Sequence, residues 1–304
     1  MRCRLPSRYK EDTMRASLFL ALPLLAGITA CASTATSQAE PAGLSGKIII
    51  AGDSTAADYP PERAPQIGWG QVLGFYLSDE VTIDNRAVNG RSTKSYIDEG
   101  KWAALMETVS PGDLVLISFG HNDSRDDAPE RYAAADGAYR DNLVRFADDV
   151  SEAGGVPLIL SSAARRLWEG PAMVETHGLY RLNAELAAEE SDAAYIDLAQ
   201  LSLAYFETLG IDETREDFFW MTPEELADQL PGHLERYPNG IEDNTHFKET
   251  GACGVARVIA LALTDALPAA GEFVQNDAFS DELGETGRPE DVLTCAENAM
   301  SETG

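Results

Sequence analysis

The chain has 304 residues, 44% hydrophobic and 8% aromatic, which supports a sizeable core and excludes wholesale disorder. Its 51 acidic residues face 23 basic ones, a formal net charge of −28. A surface this negative repels nucleic acid and anionic lipid, and it suits salty surroundings that screen self-repulsion.

The first element is a leader. After Met14-Arg15 an apolar stretch runs from Leu18 to Ile28, short for a membrane span and normal for a signal-peptide core. It ends in Ile28-Thr29-Ala30-Cys31, which resembles a bacterial lipobox. Residues 1–31 therefore read as a signal peptide of lipoprotein type with Cys31 lipidated; an ordinary secretory signal is the alternative. Residues 32–45, rich in Ala, Ser and Thr, read as a flexible tether. The expectation is an exported monomer, periplasmic or anchored at the outer membrane, or else secreted. Any membrane association would run through the lipid anchor. Two cysteines remain beyond the leader, Cys253 and Cys295, and in an exported protein they invite a disulfide.

Five β-like runs follow: Lys47–Ala51, Val81–Ala87, Asp113–Phe119, Val156–Ser161 and Ala194–Leu198. Amphipathic stretches alternate with them near Gly68–Leu77, Lys101–Val109, Tyr139–Ala153 and Leu179–Glu190. This alternation predicts right-handed crossovers and a three-layer α/β/α fold with a five-stranded parallel sheet. The third and fourth runs are almost wholly apolar, as central strands covered on both faces should be. Five strands point to the flavodoxin-like order 2-1-3-4-5, with ligands beyond the carboxyl ends of the strands. Residues 210–242, with Pro223, Pro231, Pro238 and Gly240, read as a short helix plus loops. Glu249 to Leu267 reads as the last helix. One domain spans 46–267, and 268–304, where nine acids face only Arg288, reads as a loosely held acidic tail.

Four motifs carry chemistry. Gly52-Asp53-Ser54 ends the first strand and exposes a hydroxyl at a strand-to-helix corner. Asn89-Gly90-Arg91-Ser92 follows the second, where Gly90 can take φ > 0 and present a bare N–H. Ser118-Phe119-Gly120-His121-Asn122-Asp123 follows the third and brings an amide that can donate to an oxyanion. Asp243-Asn244-Thr245-His246, expected in a turn or first helical turn, lets Asp243 hold one ring nitrogen of His246 while the other faces a serine. Each motif alone is a weak signal, and Gly52-Asp53-Ser54 and Asp243-x-x-His246 taken singly read more readily as a polar turn and a helix start. His121 is a rival base but has no carboxylate spaced to aim its ring. His177 and His233 read as structural or loop residues, and Asp53 as a residue that holds its loop.

Together the strings Gly52-Asp53-Ser54-Thr55, Gly90-Arg91-Ser92-Thr93-Lys94-Ser95, Phe119-Gly120-His121-Asn122-Asp123 and Asp243-Asn244-Thr245-His246-Phe247 resemble the SGNH (GDSL-type) hydrolases. Within that superfamily they are similar to the rhamnogalacturonan acetylesterases, as are Trp69-Gly70-Gln71 and Arg165-Arg166. The resemblance spans about residues 46–265. It implies Ser54 as nucleophile, His246 as base and Asp243 as its orienting carboxylate. The N–H groups of Ser54 and Gly90 and the Asn122 amide would form the oxyanion hole. It implies no cofactor and no metal, and an acetylated polysaccharide or oligosaccharide as substrate.

A polyanionic pectin-like substrate meets an objection in the charge of −28. A basic patch of Arg91, Lys94, Arg165 and Arg166 at the cleft would answer it, unless these cations pair with the chain's own acids. A neutral glycan such as acetylxylan avoids the objection. A lipase or thioesterase of the superfamily and a non-catalytic glycan-binding lipoprotein are the remaining readings. The first needs an apolar acyl groove, the second a missing triad member.

Overall fold

The computed structural model describes residues 43–303, with side chains to residue 301. The signal peptide, Cys31 and most of the tether lie outside the described residues.

β1 (Lys47–Gly52), β2 (Thr82–Asn85), β3 (Leu114–Ser118) and β4 (Val156–Leu160) are followed by a small antiparallel pair, β5 (Trp168–Glu169) and β6 (Ala172–Met173), and then by β7 (Ala194–Ile196). The central sheet is all parallel in the order β2-β1-β3-β4-β7, the flavodoxin-like order expected from the alternation, with β7 as its fifth strand. Period-2 alternation explains why β1 and β3 are apolar throughout. Ile48, Ile50, Leu114 and Leu116 enter one core; Ile49, Ala51, Val115 and Ile117 enter the other.

Helices cover both faces. α1 (Trp69–Val72) runs on into a 3₁₀ turn at Leu73–Tyr76, so the stretch near Gly68–Leu77 is two short pieces. α2 (Thr93–Asp98), α3 (Lys101–Met106), α4 (Arg140–Glu152), α5 (Leu179–Glu190) and α6 (Leu198–Leu209) complete the crossovers. α4 buries Leu143, Phe146, Ala147 and Val150, the i, i+3, i+4, i+7 stripe of a surface helix.

Two expectations are corrected here. Residues 210–242 are more than a helix and loops: β8 (Phe218–Met221) precedes α7 (Pro223–Gln229), and β9 (Ile241–Phe247) returns antiparallel to β8. The segment 268–304 is no loose tail. α9 (Glu290–Thr303) packs on α8 (Glu249–Ala266) through Val292, Cys295, Ala296 and Ala299, and Cys295 is bonded to Cys253 with S–S 2.01 Å. Arg288, 1% exposed, donates to both carboxylate oxygens of Asp217, through Nε at 3.1 Å and Nη2 at 2.7 Å. Most of the acids that looked like disorder precede α9, and Asp291 on it is buried against Arg257 at 2.9 Å, while the helix's apolar positions recur at helical spacing.

Candidate active site

All four motifs meet at the carboxyl ends of the strands. β1 ends at Gly52, and Asp53 locks the corner: its Oδ1 accepts from the Thr55 N–H and hydroxyl, both at 2.9 Å. Burial pushes the Asp53 carboxyl up, opposed by those Thr55 bonds. Tyr59 adds a tie, its hydroxyl donating to the Ser54 carbonyl at 2.9 Å. Ser54 is thereby held at the bottom of the cleft, 5% exposed.

The fourth motif reaches Ser54 through an irregularity of β9. Phe247 pairs with Phe218 and Glu242 with Trp220, so five steps along β9 match two along β8. The surplus residues arch out of the ladder as a wide bulge. This differs from the expected turn or helix start, and the arch is what aims Asp243 and His246 at the sheet. Asp243 Oδ1 accepts from the N–H groups of Thr245 at 2.8 Å and His246 at 3.0 Å. Its Oδ2 stands 2.7 Å from His246 Nδ1, and His246 Nε2 stands 2.9 Å from Ser54 Oγ. Burial would raise the Asp243 carboxyl, yet the hydrogen bonds from His246 and Thr245 hold it below its usual range. It therefore stays charged and fixes the proton of His246 on Nδ1, leaving Nε2 to accept from the serine.

Donors surround the serine. The N–H groups of Ser54 and Gly90 make no hydrogen bond to other backbone groups among the described residues. Gly90 has φ +76, a conformation that side-chain-bearing residues rarely adopt. Asn122 is clamped: its Nδ2 donates to the Arg91 carbonyl at 3.1 Å, and its Oδ1 accepts from Arg131 at 3.4 Å. One Nδ2 hydrogen is left over. Asp123, next in the chain, ties this loop to the Gly90 loop by accepting from the Thr93 N–H at 2.9 Å and hydroxyl at 2.5 Å. Burial raises its carboxyl to about 7.

The remaining sequence-predicted residues divide. Arg165 lines the cleft with Ser54, Asn122 and His246. Arg91, Lys94 and Arg166 do not, which corrects the expected patch. Arg91 pairs with Glu99 at 3.0 Å and Lys94 with Asp98 at 2.9 Å, both neighbours along α2 and its end. Arg166 is buried, donates to Thr214 at 3.1 Å and lies 4.7 Å over the Trp220 ring. Trp220 in turn donates to Asn244 at 3.0 Å, so Arg166 braces the arch.

His121 is no rival base. It is 5% exposed, and Arg165 Nε donates to its Nδ1 at 3.3 Å while His177 Nε2 stands 3.2 Å from the same atom. Burial, with His177 and Arg165 beside it, holds its pKa well below the ordinary value. Behind His121, Glu175 Oε1 accepts from the His177 backbone N–H, and hydrogen bonds to His177 drag the Glu175 carboxyl down to about 2. Nothing in the sequence pattern marked this cluster, because His121 meets Arg165 and His177, 44 and 56 residues along the chain, only through the fold.

Residues 50–252 match the GDSL-like lipase/acylhydrolase family. The chain belongs to that family. It is a serine ester hydrolase. Over 215 residues it is 38% identical to the rhamnogalacturonan acetylesterase RhgT of Bacillus subtilis (strain 168), a match covering 70% of this chain and 88% of that protein. A rhamnogalacturonan acetylesterase of Emericella nidulans is 30% identical over 237 residues, covering 71% and 84%. Among solved structures, protein YxiM of Bacillus subtilis superposes with a TM-score of 0.59 at 23% identity. That match covers 72% of this chain and 56% of the other, and it reports on this family member's fold alone.

Proposed function

We propose that the protein removes O-acetyl groups from an acetylated polysaccharide of the rhamnogalacturonan or pectin kind. The observation that carries this reading is the unbroken chain Ser54 Oγ–His246 Nε2–His246 Nδ1–Asp243, at 2.9 and 2.7 Å. In this reading Ser54 Oγ attacks the acetyl carbonyl as His246 takes its proton. The oxyanion settles among the N–H groups of Ser54 and Gly90 and the free Nδ2 hydrogen of Asn122. The intermediate collapses, His246 returns the proton to the departing sugar oxygen, and the acetyl group stays on Ser54. Water, deprotonated by His246, then releases acetate and restores the hydroxyl.

The names of the relatives support an acetylated acidic glycan as substrate. The polar lining of the cleft, with Asn89, Asn122 and three arginines, disfavours a long acyl chain. The Cys253–Cys295 bond supports an exported protein. Cys31 as an anchor and a monomeric state belong to the same reading. Labelled palmitate entering the wild type and not Cys31→Ser checks the anchor.

The functional test is release of acetate from acetylated pectin and acetylated xylan, alongside p-nitrophenyl acetate and butyrate. Acetate release from the pectic polymer is the expected result; strong preference for butyrate would transfer the chain to the lipase reading. Asn122→Ala is expected to lower kcat about 10²–10³-fold with little change in KM, as loss of one oxyanion donor does. A variant within threefold of wild type would remove Asn122 from the oxyanion hole.

A further inference from the structure

Carboxylates outnumber cations about two to one in this chain, so a cation without a carboxylate partner is the exception. Of the eighteen lysines and arginines among the described residues, thirteen make an ion pair. The five that make none are Arg63, Arg165, Arg166, Arg215 and Arg236. Arg166 and Arg215 are accounted for, since they lie over the Trp220 ring at 4.7 and 5.2 Å and brace the arch.

The other three flank the triad. Arg165 lines a cavity of about 410 Å³ on the Ser54 side of His246. Arg63 and Arg236 line one of about 630 Å³ on the other side, with Phe219 and Tyr237. Asn89, Asp243 and His246 border both cavities, so the two adjoin at the triad, with Ser54 lining the first. Each guanidinium is seated on a neutral group. Arg165 rests on His121, through the ring at 3.3 Å and the carbonyl at 3.4 Å; Arg63 donates to Gln66 at 2.5 Å; Arg236 lies 5.3 Å from the Tyr237 ring centre. The buried His177–His121 pair behind Arg165 gives its guanidinium a neutral acceptor where a carboxylate would have cancelled its charge.

We propose that Arg165 in the first cavity, and Arg63 with Arg236 in the second, are specificity-determining residues that bind carboxylates of acidic sugars on either side of the acetylated one. The polymer then lies across the triad and is deacetylated within the chain. Guanidinium forks match carboxylates in two parallel hydrogen bonds, a match that a neutral sugar cannot make. Long-range repulsion from the net charge does not oppose this at about 0.15 M salt, where the Debye length is about 8 Å. The inference rests on the acetylesterase reading above.

The test compares acetylated galacturonate oligosaccharides with free carboxylates against the same preparation after methyl esterification, at that salt. For the wild type, kcat/KM is expected to fall about tenfold or more on methylation, chiefly through KM. Arg165→Gln and the pair Arg63→Gln with Arg236→Gln should each shrink that preference by a similar factor. Arg145→Gln removes a cation that pairs with Asp149 on the exposed face of α4, and should leave the preference where it was. Equal rates on the two preparations, or an Arg145→Gln effect as large as that of Arg165→Gln, overturns the inference. Failure of the esterase reading looks different: neither preparation yields acetate.

Discussion

Ser54→Ala is expected to lower kcat for acetyl-ester hydrolysis about 10⁶-fold, to the level left by the oxyanion hole and binding alone. The expectation follows from the geometry, since Ser54 Oγ is the atom that His246 Nε2 contacts at 2.9 Å. His246→Ala should cost about as much, and the double variant no more than either single. Each residue is useless without the other, so their effects do not add. Asp243→Asn should cost less, about 10⁴-fold, because an amide holds the ring in the wrong tautomer while leaving base and nucleophile in place. Folding should hardly notice the serine change: one net hydrogen bond is worth about 1 kcal/mol, a few degrees in melting temperature for a domain of this size. Single-turnover kinetics and thermal melts on the purified variants check both halves. A Ser54→Ala protein within tenfold of wild type, or additive losses in the double variant, would sink the mechanism.

The second large effect is on stability. Arg288→Ala leaves Asp217, 0% exposed, with its main counter-charge gone, and breaking such a buried pair costs about 3–5 kcal/mol, or about 10 °C in melting temperature. The consequence reaches the site. The Asp217 carbonyl accepts from the Lys248 N–H at 3.0 Å, next to the arch that holds His246, and Asp217 precedes β8 directly. The tail residue therefore clamps the hairpin that carries the base.

The pH dependence has a definite sign. Burial pushes the Asp217 carboxyl up, and the Arg288 bonds pull against it. Without Arg288 the folded-state pKa climbs further above the unfolded value. A carboxyl raised in the folded state is favourable while protonated and loses its contribution as pH rises through the folded pKa. The deficit of Arg288→Ala relative to wild type should thus be largest near neutral pH and shrink as pH falls toward about 4. Urea melts between pH 4.5 and 7.5 measure it; a deficit constant across that range would refute the account. Arg288→Met combined with Asp217→Leu should recover much of the loss, since neither charge of the buried pair then remains.

Most of the sheet was legible because its signals are local. Period-2 alternation in Ile48–Ala51 and the apolar run Leu114–Ile117 declare covered strands within a few residues. The bulge of β9 was not legible, because it is defined by pairing with β8 rather than by its own residues. The tail was misread on composition, although Val292, Cys295, Ala296 and Ala299 carried the helical stripe that would have corrected it. The pairing of Lys94 with Asp98 was within reach too, being four residues apart on one helix.

Ser54 and His246 stand 192 residues apart, yet sequence alone brought them together. Each sits in a motif tied to a strand end or to the last helix, and a parallel sheet of this order gathers such ends at one edge. Sequence determined that much: the strand order, the four motifs and the ester chemistry they imply. The tertiary structure decided which arginines keep a free charge beside that chemistry. Arg165 meets His121, Arg166 meets Trp220, and Arg288 meets Asp217, all across long stretches of chain. A cation's partner is chosen by proximity in space, and no spacing along the chain records it.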